Sequence, residues 1–144
     1  MKPPRGRRSE GTTLADIDRS ESTRWAVEAA RAADDKKGLE TLVLAVGDIL
    51  AVTEFFVITH GTNPRQVRTL ADEVEQRISA AGGPKPIRIE GLADLSWVLL
   101  DYGDFVVHVF SEEARRFYEL ERLWADVPRI DWRAGPELGA AGAR

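Results

Sequence analysis

Apolar positions along this chain follow two patterns, a helical spacing of three to four and short continuous runs of strand length. From Ser22 to Lys37 the small residues Ala26, Ala29, Ala30 and Ala33 recur every three or four positions, which predicts a helix with a narrow packing stripe. Ser22 or Thr23 can cap it, Lys36 and Lys37 oppose the dipole at its end, and Gly38 stops it. Two runs of strand length follow, TLVLAV (41–46) and Phe55–Thr59, with a turn at Gly47-Asp48; Ile49–Val52 can extend either run. After Gly61 the helical period returns most clearly. Asn63 reads as N-cap, Pro64 as first helical residue and Gln66 as the third residue of a capping box. Val67, Leu70, Ala71, Val74, Ile78 and Ala81 then share one face until Gly82-Gly83-Pro84. With a short strand at Ile87–Glu90, this strand and helix predict a crossover unit, right-handed if its strands are parallel.

The segment WVLLDYGDFVVHVF (97–110) places two apolar runs around Tyr102-Gly103, a hairpin signal because glycine accepts the positive φ of a tight turn. SEEARRFYELERLW (111–124) predicts a last helix, capped by Ser111, with Phe117, Leu120 and Trp124 as its buried stripe. The element order α-β-β-α-β-β-β-α implies an α/β domain: a mixed sheet with helices packed on its faces. Residues 1–19 lack apolar periodicity and read as a disordered basic leader, 20–132 as the folded domain, and 133–144 as a flexible tail.

Composition narrows the function classes. The 144 residues contain no cysteine and two histidines, so thiolate chemistry is excluded and a histidine-rich metal site is not expected. No apolar run reaches the length of a membrane span, and no apolar segment follows the basic N-terminus, so a cytoplasmic protein is expected. Residues 20–132 carry 13 Lys or Arg against 20 Asp or Glu. That balance is poorly suited to binding phosphate backbones and better suited to a basic protein surface. Direct contact with nucleic acid is expected, if anywhere, at the four cations of residues 1–8.

Candidate chemistry is sparse. His60-Gly61-Thr62 precedes a helix N-terminus, where amides attract anions, but lacks the glycines of a nucleotide loop. Asp72, Glu73 and Glu75 invite comparison with magnesium-holding acids, yet their spacing puts them on the solvent side of the amphipathic helix. Asp101 and Asp104 can act as an acid–base pair, hold a divalent ion, or simply cap the hairpin turn, and the turn role is favoured. His108, within an apolar strand, reads as a hydrogen-bonded core residue. Trp97, Tyr102, Tyr118 and Trp124 are residue types that anchor interfaces. Trp124 reads as core, and Trp97, at a strand start near a loop, as the better partner anchor.

Four stretches, TEFFVITHGTNPRQV (53–67), IEGLADLSWVLLDYGD (89–104), FVVHVF (105–110) and RRFYELERLW (115–124), together resemble the Iojap family, whose bacterial members are ribosomal silencing factors. The resemblance covers residues 22–124. It implies a fold related to the nucleotidyltransferases without their catalytic signature, no enzymatic activity and no cofactor. It further implies binding to the fourteenth protein of the large ribosomal subunit, a steric block to small-subunit joining, and lower translation under nutrient limitation. A homodimer is also implied, as is the alternative role of mitochondrial and chloroplast relatives in large-subunit assembly. Resemblance and hairpin geometry together nominate Arg88, Glu90, Trp97, Asp101, Tyr102 and Asp104 as contact residues, with Trp97 as anchor. This chain departs from the family pattern at Glu54, His60 and Ser96, the last beside that anchor. A nucleotidyltransferase-like enzyme is the remaining alternative; it requires nucleotide and magnesium binding near Gly61.

Overall fold

The computed structural model describes residues 14–134, with side chains from residue 21 onward. Helix α1 (Leu14–Asp35) leads into strands β1 (Leu39–Ala45) and β2 (Phe55–Gly61), helix α2 (Pro64–Ala80), and strands β3 (Arg88–Glu90), β4 (Trp97–Asp101) and β5 (Phe105–Ser111). Two short helices, α3 (Glu112–Tyr118) and α4 (Leu120–Leu123), follow. The expected mixed α/β architecture is present. The sheet order is β1-β2-β5-β4-β3, with β2 and β5 parallel and the other neighbouring pairs antiparallel. The expected crossover unit is present in split form: β3 lies at the far edge, against β4, and runs parallel to β2 with β5 and β4 between them. The β4–β5 hairpin is the more local pairing, and it takes the place beside β2 with its longer, almost wholly buried strand.

Side chains on a strand alternate between faces. Val43, Phe55, Val57, Val98, Leu100, Phe105, Val107 and Val109 therefore share one face, covered by α1 and α2. The four alanines of the α1 stripe are fully buried there. Helix α1 starts at Leu14, inside the segment read as leader, so Ser22 is a buried residue of the helix interior and not its cap. Residues 14–19 include helix formers (Leu14, Ala15 and Arg19) that the polar composition around them obscured. The rest of the leader, 1–13, and residues 135–144 of the tail lie outside the described residues.

The end of α1 is a Schellman motif. Gly38 N–H donates to Ala33 C=O at 2.8 Å and Lys37 N–H to Asp34 C=O at 2.9 Å. The left-handed residue is Lys37 (φ 66°), not Gly38. Glycine is needed at 38 for a different reason: a Cβ there would lie 2.5 Å from Thr59 Oγ1. At the start of α2, Asn63 Oδ1 accepts from Gln66 N–H at 2.8 Å, as expected of an N-cap. Gln66 does not close a capping box on Asn63. Its Oε1 accepts from Thr62 N–H at 2.7 Å, and its Nε2 donates to the Lys36 and Lys37 carbonyls, stitching the end of α1 to the start of α2.

The second face of the sheet carries a smaller core: Leu44, Val46, Ile58, Phe110 and Val127, with Phe56, Trp97, Leu120 and Trp124 packed against it. The single helix expected over 111–124 is broken at Glu119, which is left-handed (φ 47°). The break turns the chain so that Leu120 and Trp124 reach the sheet while Phe117, expected in the buried stripe, is 79% exposed. The buried residue of α3 is Arg115.

Candidate partner-binding surface

Strand alternation also decides where the nominated residues lie. Arg88 faces Asp101 and Glu90 faces Leu99 across β3 and β4. Arg88, Glu90, Trp97, Leu99 and Asp101 therefore share the sheet face that α1 and α2 leave uncovered. Arg88 pairs with Asp101 at 3.0 Å and with Glu90 at 3.6 Å. The other carboxylate oxygen of Asp101 accepts from Gly103 N–H at 2.8 Å, so the local turn-capping role is present. Asp104 is exposed in the turn, and its carbonyl accepts from Glu54 and Phe55 N–H.

Tyr102 is a correction. It has the opposite parity, is 7% exposed, and stacks on Phe105 at 4.5 Å within the core beneath the helices. Burial, and then the Glu75 carboxylate, push its phenol well above the usual range. Its side chain has little surface to offer a partner.

Trp97 is half-buried. Its ring lies 4.8 Å from Phe110 and 4.9 Å from Tyr118, and its indole N–H donates to His108 Nδ1 at 3.1 Å. His108 in turn meets Phe56 edge-on at 4.7 Å, and Phe56 meets Trp124 at 5.5 Å. Trp97 and Trp124, which the sequence divided into surface and core, thus sit at similar depth in one aromatic row. The row ends in the open: Tyr118 is 51% exposed and touches exposed Phe117 at 5.0 Å. The periodicity of α3 hid this exposure, because the Glu119 break carries no glycine or proline signal.

The other candidate sites are occupied by the protein's own groups. Thr62 N–H is taken by Gln66 and Gln66 N–H by Asn63, so two of the amides at this helix start are already engaged. Asp72 pairs with Arg68 at 3.2 Å and Glu73 with Arg77 at 3.6 Å along α2. Among the described residues, no group of three or more His, Asp or Glu is arranged to hold a metal ion. None of the described helices is long and apolar enough to cross a membrane.

His60 has a role the sequence did not reveal. Arg115, only 4% exposed, donates to Leu39 C=O at 3.1 Å and to Glu121 at 3.2 Å, and its Nη1 lies 3.0 Å from His60 Nδ1. The guanidinium pins α3 and α4 to the ends of β1 and β2. Burial, and then Arg115, lower the His60 pKa. A cleft of about 390 Å³ opens beside it, lined by Glu40, Glu112, Arg116 and Arg122 among others. Its charges are mixed and largely paired within α3 and α4.

Comparison with known proteins adds an independent line. Residues 19–142 match the family described as "Ribosomal silencing factor during starvation". The chain is 39% identical over 103 residues to the ribosomal silencing factor RsfS of Halalkalibacterium halodurans, covering 72% of this chain and 87% of that protein. It is 40% identical over 103 residues to the protein of the same name from Bacillus subtilis, covering 72% and 86%. A crystal structure of a Chromobacterium violaceum protein superposes with a TM-score of 0.68 at 31% identity, over 72% of this chain and 85% of that one. A mouse protein named "Mitochondrial assembly of ribosomal large subunit protein 1" is 31% identical over 85 residues, which is 57% of this chain and 37% of the mouse protein.

Proposed function

The chain belongs to the ribosomal silencing factor family, and from that premise we propose that it represses translation by binding the large ribosomal subunit and obstructing the small one. The partner is the fourteenth large-subunit protein, and the repression operates when nutrients are limiting. The action is steric, by a binding surface and without turnover, in the cytoplasm. The relationship of the fold to nucleotidyltransferases belongs to the same proposal.

One observation carries the reading: β3 and β4 bring Arg88, Glu90, Trp97 and Asp101 onto a single sheet face, beside the exposed aromatics of α3. Aromatic anchors surrounded by charged residues are the composition of a protein–protein contact. The acid excess of residues 20–132 complements a basic ribosomal protein. Asp104, exposed at the adjoining turn, extends the charged rim. The contact residues in this reading are Arg88, Glu90, Trp97, Asp101 and Asp104.

Sedimentation of separated subunits tests it. Added to large subunits before small ones, the chain is expected to travel with the large subunit and to lower the fraction of joined ribosomes. Full joining in the presence of saturating chain would contradict the proposal. A second reading, an assembly factor for the large subunit, is favoured by the name of the mouse relative. It requires tighter binding to precursor particles than to mature subunits, which the same gradients measure.

A further inference from the structure

His108 is absent from the contact surface just described, yet its imidazole holds the residue at that surface's centre. Trp97 faces Phe110 and His108 faces Leu99 across β4 and β5, so the Trp97–His108 hydrogen bond runs diagonally between the two strands on one sheet face. That bond fixes the tautomer: Nδ1 accepts, so the proton of the neutral ring sits on Nε2. Burial holds the ring neutral, with its pKa lowered to about 4. Nε2 is itself enclosed and has no hydrogen-bond partner among the described residues. An unpaired buried donor is costly, and leucine at this position fills a similar volume without one. The imidazole therefore carries a penalty that core packing does not explain.

We propose that His108 is a positioning residue for partner binding: its Nδ1 anchors the indole edge of Trp97 so that the ring meets the partner protein in one fixed orientation. The inference rests on the reading of this face as the ribosomal-protein contact. Without the acceptor, the Trp97 N–H must find water, and the half-buried ring gains other rotamers. Binding then has to order the ring and strip the water from its N–H. With the acceptor, both costs are met within the folded chain and the partner meets an apolar ring already in place.

The test uses the full chain and the purified fourteenth large-subunit protein, with affinities measured by calorimetry and the indole N–H followed by NMR. His108→Leu is expected to weaken binding by about tenfold, the scale of one buried donor left unpaired. It should also speed exchange of the Trp97 Nε1 proton, identified by its absence in Trp97→Phe. His108→Asn, whose Oδ1 can occupy the Nδ1 position, should retain most of the affinity. In a Trp97→Phe background there is no indole N–H, and His108→Leu should then change affinity by less than about twofold, as expected when the coupled group is gone. Equal weakening by His108→Leu in both backgrounds would overturn the proposal, as would an Asn variant as weak as the Leu variant. If the wild-type chain does not bind at all, the partner reading falls. The indole proton then judges the positioning alone: exchange as fast in wild type as in His108→Leu overturns it.

Discussion

His60 and His108 respond to pH with the same sign, for related reasons. Both are neutral in the folded chain because burial lowers their pKa; for His60 the Arg115 guanidinium adds to this, opposed by Glu40, Glu112 and Glu121. In the unfolded chain each takes up a proton near the ordinary value of about 6.5. Below that pH the unfolded state binds more protons than the folded one, so stability falls as the solution is acidified from about pH 6.5 towards pH 4. Thermal unfolding followed across this range should show the midpoint dropping, and His108→Asn should flatten the drop. An Asn variant with the wild-type slope would show that His108 does not titrate as its burial implies. Tyr102 gives a second prediction at this scale. Its hydroxyl is buried with no partner among the described residues, so Tyr102→Phe should leave stability unchanged or raise it by about 1 kcal/mol. A loss of 2 kcal/mol or more in denaturant unfolding would reveal a hydrogen bond to the phenol. These details were not legible in the sequence. Alternation says which face a residue takes, but it does not say that His108 meets Trp97 or that His60 meets Arg115, because those partners come from other strands and helices.

At the scale of elements, much more was readable. The hairpin at Tyr102-Gly103 and the Asn63 cap of α2 stand as expected, because each is set by local backbone chemistry. So do the buried Val67, Leu70, Ala71, Val74 and Ile78. The errors fall where tertiary contacts override local pattern. The stripe Phe117, Leu120 and Trp124 assumes an unbroken helix; a left-handed Glu119 interrupts it, and the anchoring of Arg115 holds α3 in place on one side of the break. Glu119 pays the cost of a conformation that L-residues disfavour, about 1 kcal/mol. Its ion pair with Arg122 is exposed and offsets little of this. Glu119→Gly is therefore expected to stabilise the fold slightly, and Glu119→Val to destabilise it by about 1–2 kcal/mol. Equal stability of the two variants in urea unfolding would mean that position 119 is not held left-handed in solution. The place of β3 was likewise hidden: the sequence offers a strand after α2, but the choice between joining β2 and joining β4 is made by pairing across the whole sheet.

At the scale of the molecule, the two faces of the sheet have different fates. One is sealed by α1 and α2 over the main core. The other is only partly covered, and its aromatic row runs from Trp124 out to Phe117. An acidic domain that presents this face to a basic protein should associate faster at low salt, because long-range attraction between unlike charges is screened as ions are added. The buried aromatic contact should be nearly insensitive to salt. The most direct test of the account is therefore the affinity of the full chain for the purified fourteenth large-subunit protein, wild type against Trp97→Ala, at two ionic strengths. The account expects wild-type binding that Trp97→Ala weakens by about thirtyfold, the effect of losing an anchor worth about 2 kcal/mol. Added salt should slow association in both. Binding unaffected by Trp97→Ala would remove this face from the contact, and no wild-type binding at either ionic strength would contradict the account at its centre.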